Sequence, residues 1–171
     1  RDDPIFDGQY SNRCYQDAVR QAFHNFSMKS EKQGRYNHEN DIRLTEQWSR
    51  IIMHLPYAFQ AKRMFPDIFR HDRQDTDYWE SIAEQLGPMP AEHNSEDPLI
   101  IEIWEKAMDG YRRAISKTPE YLEFHANRIE KGQRASSLIG NQYTGSIFLA
   151  LMSTFESDLE ENSNLDNTLF G

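Results

Sequence analysis

Apolar and polar positions follow one another in blocks of differing period, and the changes of period mark the elements. Tyr15, Ala18, Val19, Ala22, Phe23 and Phe26 recur at steps of three and four, which predicts a helix with one apolar stripe, capped at its start by Ser11. Cys14 borders that stripe and reads as a small apolar filler, because free cysteine is commonly buried. Ahead of the helix, Pro4-Ile5-Phe6-Asp7-Gly8 reads as an extended piece closing in a turn. From Ser27 to Asn40 the stretch is polar, carries Gly34 and is expected to be a loop; Ile42, Leu44, Trp48, Ile51 and Ile52 then resume an apolar pattern.

That pattern ends in Ile51-Ile52-Met53-His54-Leu55-Pro56-Tyr57. Three bulky apolar residues in a row predict a short buried strand or the last turn of a buried helix, and Pro56 biases Leu55 to an extended conformation, so the element ends there. His54 therefore stands at the mouth of a buried element. On its own it reads as a core-edge histidine whose ring nitrogens are satisfied by backbone groups. Tyr57 to Phe65 is predicted to be a helix whose N-terminus lies beside His54 and presents free N–H groups to an anion or a carbonyl oxygen. Lys62 and Arg63 add charge suited to a phosphate, though a solvated helix face is the commoner explanation for such a pair.

Asp67 to Asp77 is charged and expected to be irregular. Thr76 is a cap for a helix through Trp79, Ile82, Ala83 and Leu86, which Gly87, Pro88 and Pro90 terminate. Asp97-Pro98 and Thr118-Pro119 each pair an N-cap with a proline at the first helical position. The first of these helices carries Ile100, Trp104, Ala107, Met108, Tyr111 and Ile115 as a core stripe, and the second runs through Leu122 and Ile129 towards Gly132. Gly140 to Met152 interleaves small and large apolar residues, which predicts a helix buried on most sides, with Gly145, Ser146 and Ala150 allowing close approach. Asn141 and Tyr143 stand at its head, where a polar amide needs a partner or a ligand. Glu156 to Asn167 is acidic and expected to be an exposed loop.

The chain has 171 residues, enough for one domain with a core or part of one. Its 19 Lys and Arg against 28 Asp and Glu give a net charge of -9, which argues against nucleic acid as a partner. A single cysteine makes no internal disulfide, and there is neither a long apolar run nor a signal-type start, so a cytoplasmic setting without membrane insertion is expected. There is no metal-spaced His/Cys cluster, glycine-rich phosphate loop or internal repeat. The start at Arg1 without Met and the stop at Leu169-Phe170-Gly171, an apolar step of the kind that opens a strand, suggest a fragment.

Three stretches together carry a resemblance. His54-Leu55-Pro56-Tyr57 is similar to the His-x-Pro-Tyr/Phe segment of hydroxymethylglutaryl-CoA synthases, and Gly140-Asn141-Gln142-Tyr143-Thr144-Gly145-Ser146 to their Gly-Asn-x-Tyr-Thr-x-Ser segment. Asp7-Gly8-Gln9-Tyr10-Ser11, with Cys14-Tyr15 after it, resembles the Asp-Gly-Lys-Tyr/Leu-Ser stretch that precedes the histidine. The three occur in the family's order over almost the whole chain, whereas about residues 70–134 carry little of the likeness and look like a helical elaboration of the family's C-terminal domain.

The resemblance implies an α/β fold: a helix-rich fragment of the second half of a thiolase-like layered fold, from an enzyme that is a homodimer at full length. It implies an acyltransferase that condenses acetyl-CoA with acetoacetyl-CoA and needs no cofactor beyond these CoA thioesters. A Cys of the first half takes the acetyl group, a first-half Glu removes its proton, and the carbanion adds to the ketone of acetoacetyl-CoA. Neither Cys nor Glu has a match here, so the chain alone is expected to be inactive. His54 matches the active-site histidine that orients acetoacetyl-CoA and serves the forming hydroxyl as donor or acid, a role suited to imidazole. Asn141 matches the amide that hydrogen-bonds the acetoacetyl group, and Tyr143 a nearby tyrosine. Five residues after the histidine many members carry a Lys that approaches CoA. Here that residue is Phe59, leaving Lys62 or Arg63 for phosphate contacts. The substitution also keeps open a relative that acts on a carrier-protein thioester in polyketide β-branching, and a helical interaction module that keeps the motifs as packing residues is the remaining alternative.

Overall fold

The computed structural model describes residues 8–35, 43–57, 59–161, 163 and 169–171. The chain divides into two compact units, Arg1–Leu44 and Thr45–Gly171. In the first, α1 (Gly8–Lys32) is longer than the apolar stripe predicts. It begins at Gly8, so Ser11 lies inside the helix instead of capping it, and it continues into the stretch expected as a loop, where Lys29 and Lys32 suit the negative end of the helix dipole. Of the stripe, Phe23 is buried, while Tyr15 and Val19 are half-buried. Cys14 is exposed, so it is not the core filler its position beside the stripe suggests. Asp7 and the residues before it, and Tyr36 to Ile42, lie outside the described residues.

The second unit is helical. After α2 (Leu44–Gln47) come α3 (Gln60–Arg73), α4 (Asp77–Leu86), α5 (Pro98–Ile115), α6 (Pro119–Arg128), α7 (Glu130–Ile139), a 3-10 turn at Tyr143–Gly145 and α8 (Ser146–Glu160). The local start signals act as expected. Thr76 Oγ1 accepts from the Trp79 N–H at 3.1 Å, Asp97 Oδ1 from Leu99 at 2.9 Å and Thr118 Oγ1 from Tyr121 at 3.3 Å.

Helix α3 is the centre against which α4, α5 and α6 pack. Its first turn begins at Gln60, three residues later than predicted, and it runs on through Asp67 to Arg73, a stretch expected to be irregular. Asp67, Asp72 and Arg73 are buried there and paired. Arg112 Nε donates to Asp67 at 2.7 Å, and Thr45 donates to Asp72 through both its N–H and its hydroxyl, at 3.0 and 2.6 Å. Arg73 bonds Glu46 at 3.1 Å and lays its guanidinium 4.2 Å from the Phe69 ring centre. Phe69 packs edge-on to Tyr121 and Phe124, with centroids 5.3 and 5.2 Å apart, and Phe65 stacks on Phe124 at 5.5 Å.

The chain breaks helical geometry at Ile129 and resumes as α7, which no apolar stripe announces. Its buried face is Gly132, Gln133 and Ser136, set against the small residues of α8. Helix α8 is buried on that one face alone: Ser146, Ala150, Ser153, Thr154, Ser157 and Asp158 are inside, whereas Phe148, Met152 and Leu159 are exposed. Burial on most sides is thus corrected, and so is the loop expected from Glu156, because the helix continues to Glu160 with Asp158 fully buried.

Residues 50–55 form no helix, and Arg50 lies in a β-bridge. Ile51, Met53 and Leu55 are buried and Ile52 and His54 half-buried, the period of two expected of a strand. The Ile51 N–H donates to the Arg128 carbonyl at 2.8 Å, while that of Ile52 donates to Gly171 at 2.9 Å. Gly171 in turn donates to Arg50 at 2.9 Å, forming a parallel bridge between Arg50 and Phe170. The strand-like reading of both segments holds in this reduced form. Among the described residues no strand develops beyond the bridge, so the observed class is helix-rich and the sheet of an α/β fold is not seen.

Candidate functional site

His54 is held by a residue 92 positions away. Ser146, the first residue of α8, is fully buried, and its hydroxyl oxygen lies 2.6 Å from His54 Nδ1. The same oxygen accepts the Leu55 N–H at 3.1 Å. The period-two register of residues 51–55 turns His54 away from the face that buries Ile51, Met53 and Leu55, leaving it half-buried. His125 is the contrasting case. It is buried, its Nε2 accepts from the Gln133 amide at 2.6 Å, and burial pushes its pKa down, as expected of a core histidine.

The loop leading into α8 carries the other predicted residues. Gly140, at φ +86°, ends α7 in a conformation that favours glycine. Asn141 then closes a turn, its Oδ1 accepting the Tyr143 N–H at 2.7 Å. Because that oxygen is used as an acceptor, the amide NH2 is the end available to donate outward. Tyr143 has a positive φ of 48° and is exposed. Ser146 follows one residue after the 3-10 turn, so its bond to His54 ties the loop of Asn141 and Tyr143 to the histidine's own segment.

Lys62 and Arg63 lie in the first turn of α3. Lys62 is half-buried and Arg63 exposed, with its guanidinium 5.8 Å from the Tyr57 ring centre. Phe59 precedes them, 65% exposed. Sequence reasoning misses Ser146: the pattern shows only a small residue that allows close approach, and the fold reveals that its hydroxyl meets the imidazole.

An open groove of about 610 Å³ between α3, α4 and α5 is lined by Arg70, Trp79, Glu80, Met89 and Tyr111, among others, and includes none of the five predicted residues. Among the described residues, no group of three or more His, Cys, Asp and Glu is arranged to hold a metal ion, and no helix is long and apolar enough to cross a membrane.

Comparison with known proteins gives one consistent result. Residues 2–167 match the family model described as hydroxymethylglutaryl-coenzyme A synthase C terminal. The hydroxymethylglutaryl-CoA synthase of Haloferax volcanii is 26% identical over 162 residues, covering 95% of this chain and 34% of that protein. The chain thus spans about a third of the length of this curated relative. No solved structure matches it. With His54 and the loop of Asn141 joined through Ser146, and nearly the whole chain covered by the match, the protein belongs to the hydroxymethylglutaryl-coenzyme A synthase C-terminal family.

Proposed function

We propose that the chain is the C-terminal part of a hydroxymethylglutaryl-CoA synthase and supplies one wall of its acetoacetyl-thioester site. The observation that carries this reading is the 2.6 Å contact between Ser146 and His54, which joins two of the three resemblance-bearing motifs. His54 donates to the ketone oxygen of acetoacetyl-CoA as it becomes a hydroxyl, and the Asn141 amide donates to the same acyl group. Fixed donors suit this step because negative charge builds on that oxygen as the acetyl carbanion forms the new carbon–carbon bond. Tyr143 borders the site, and Lys62 and Arg63 meet the phosphates of CoA.

The nucleophilic Cys and the basic Glu come from the part of the synthase that this chain does not cover, within a thiolase-like α/β fold to which residues 70–134 add a helical elaboration. The bridge between Arg50 and Phe170 is compatible with a sheet completed there. The enzyme acts in the cytoplasm as a homodimer, and CoA thioesters are its only small-molecule requirement. The test is thiol release from acetyl-CoA and acetoacetyl-CoA by the full synthase polypeptide containing this chain. His54→Ala and Asn141→Ala are each expected to reduce turnover by about a hundredfold or more, and the chain alone to be inactive. An unchanged rate in His54→Ala would overturn the assignment. A preference for carrier-bound acetoacetate, to which exposed Phe59 in place of Lys is suited, would replace the CoA substrate with a carrier-protein one.

A further inference from the structure

We infer that Ser146 is a positioning residue that fixes the tautomer of His54, holding the proton of the neutral ring on Nε2. The argument is a count of protons around one buried oxygen. Ser146 is 0% exposed, so water does not complete its bonding. The Leu55 N–H can only donate, and it occupies one lone pair of Oγ from 3.1 Å. The hydroxyl proton then needs an acceptor, and among the described residues the one in hydrogen-bond contact with Oγ is His54 Nδ1, at 2.6 Å. If Nδ1 carried the ring proton, Oγ would accept twice and its own proton would be buried without a partner. With Nδ1 as acceptor both groups are satisfied, and the neutral imidazole carries its proton on Nε2.

The same oxygen also fixes the ring's orientation. It is bonded to the backbone of Leu55 and to the side chain of His54, so rotation of the imidazole breaks a contact on one side of a two-point clamp. Because Ser146 opens α8 directly after the turn that follows Asn141, the clamp sets the histidine relative to the loop of the second motif. This inference rests on the proposed synthase reading for its purpose: Nε2–H is the donor offered to the ketone oxygen. A histidine presented in the other tautomer would offer a lone pair where a donor is required.

The test has a spectroscopic arm and a kinetic arm. In the 171-residue chain labelled with 15N-histidine, long-range 1H–15N spectra at alkaline pH distinguish protonated from unprotonated ring nitrogens. Nδ1 of His54 is expected to be unprotonated and Nε2 protonated. Ser146→Ala should yield a mixture of tautomers, and Ser146→Thr, which keeps the hydroxyl, should restore the single form. In the full synthase polypeptide, Ser146→Ala should lower kcat at least about tenfold with KM changed less than twofold, and Ser146→Thr should recover most of it. A protonated Nδ1 in the unmodified chain, or a tautomer unmoved by Ser146→Ala, overturns the inference whatever the kinetics show. Absence of turnover in the unmodified synthase polypeptide overturns the synthase reading, and with it the catalytic purpose assigned to the clamp, leaving the tautomer assignment to stand or fall on the spectra.

Discussion

Pro66 and Tyr121 are linked through a single carbonyl. Proline inside α3 has no N–H, so the Lys62 carbonyl one turn earlier lacks its usual helical donor, and the Tyr121 hydroxyl donates to that oxygen at 3.2 Å. Tyr121 is fully buried, and burial pushes its phenol far above the ordinary value, so it remains a donor at all working pH. A helix-breaking residue is thereby accommodated by a side chain 55 positions later, and α6 is fastened to α3 at the point where α3 would otherwise be weakest.

Tyr121→Phe is therefore expected to cost about 1 kcal/mol, since it leaves the Lys62 carbonyl without this donor. In a Pro66→Ala background the new N–H can take that carbonyl, and the cost of Tyr121→Phe should fall to a few tenths of a kcal/mol. Urea denaturation of the four proteins of the cycle measures the coupling. Equal losses in both backgrounds would mean that the hydroxyl and the proline are energetically independent.

Asp158 anchors the extended segment to α8. It is fully buried, with Arg50 Nη2 and Lys131 Nζ each 2.6 Å from its carboxylate. Burial opposes its charge, but the hydrogen bonds from Arg50 and Lys131 outweigh that effect and hold the carboxyl below the usual carboxylate range. The native pKa is thus lower than the unfolded one, near 3.9 for an aspartate, so the stabilisation is complete above that value and is lost as pH falls through the native pKa. Asp158→Asn should cost about 3 kcal/mol at neutral pH, by leaving two cations without their buried partner. Below about pH 4 the gap between variant and parent should narrow. Denaturation midpoints measured across that range would refute the assignment if the two curves ran parallel.

The parts of this fold legible in the sequence are those governed by neighbours a few positions away. Thr76, Asp97 and Thr118 cap helices because a cap is a contact with an N–H two or three residues on. The end of the buried segment at Leu55 is legible for the same reason, since Pro56 acts on its direct neighbour, whereas the choice between strand and last helical turn is not. Charge was misleading where its partners are remote: Asp67, Asp72 and Arg73 looked like an irregular polar segment, yet they bond Arg112, Thr45 and Glu46 inside the unit. Helix α7 escaped notice because its buried face is glycine, glutamine and serine, and exposed Phe148 and Met152 made α8 look buried all round. At the candidate site, His54 and Asn141 were found through family resemblance, while the Ser146 hydroxyl that joins their segments depends on contact across 92 positions.

The most extensive helix packing in the second unit, α7 against α8, supplies a last prediction. A Cβ added at Gly132 would lie 3.3 Å from Thr154 Oγ1 and 3.5 Å from the Ala150 carbonyl, so α7 meets α8 where neither has room for a larger side chain. Thr154 cannot swing away without cost, because its hydroxyl donates to that carbonyl at 2.9 Å. Gly132→Ala brings better helix propensity, about 1 kcal/mol, against this crowding, and the two should nearly cancel. Gly132→Val adds two methyl groups to the same gap and should lose about 1–3 kcal/mol. If the contact with Thr154 is the cause, Thr154→Ala in the Gly132→Ala background should make the alanine favourable by several tenths of a kcal/mol. Denaturant midpoints at constant m-value report these differences; a valine variant as stable as the parent would mean that α7 and α8 can separate freely, and that the small residues facing Gly132 do not set their spacing.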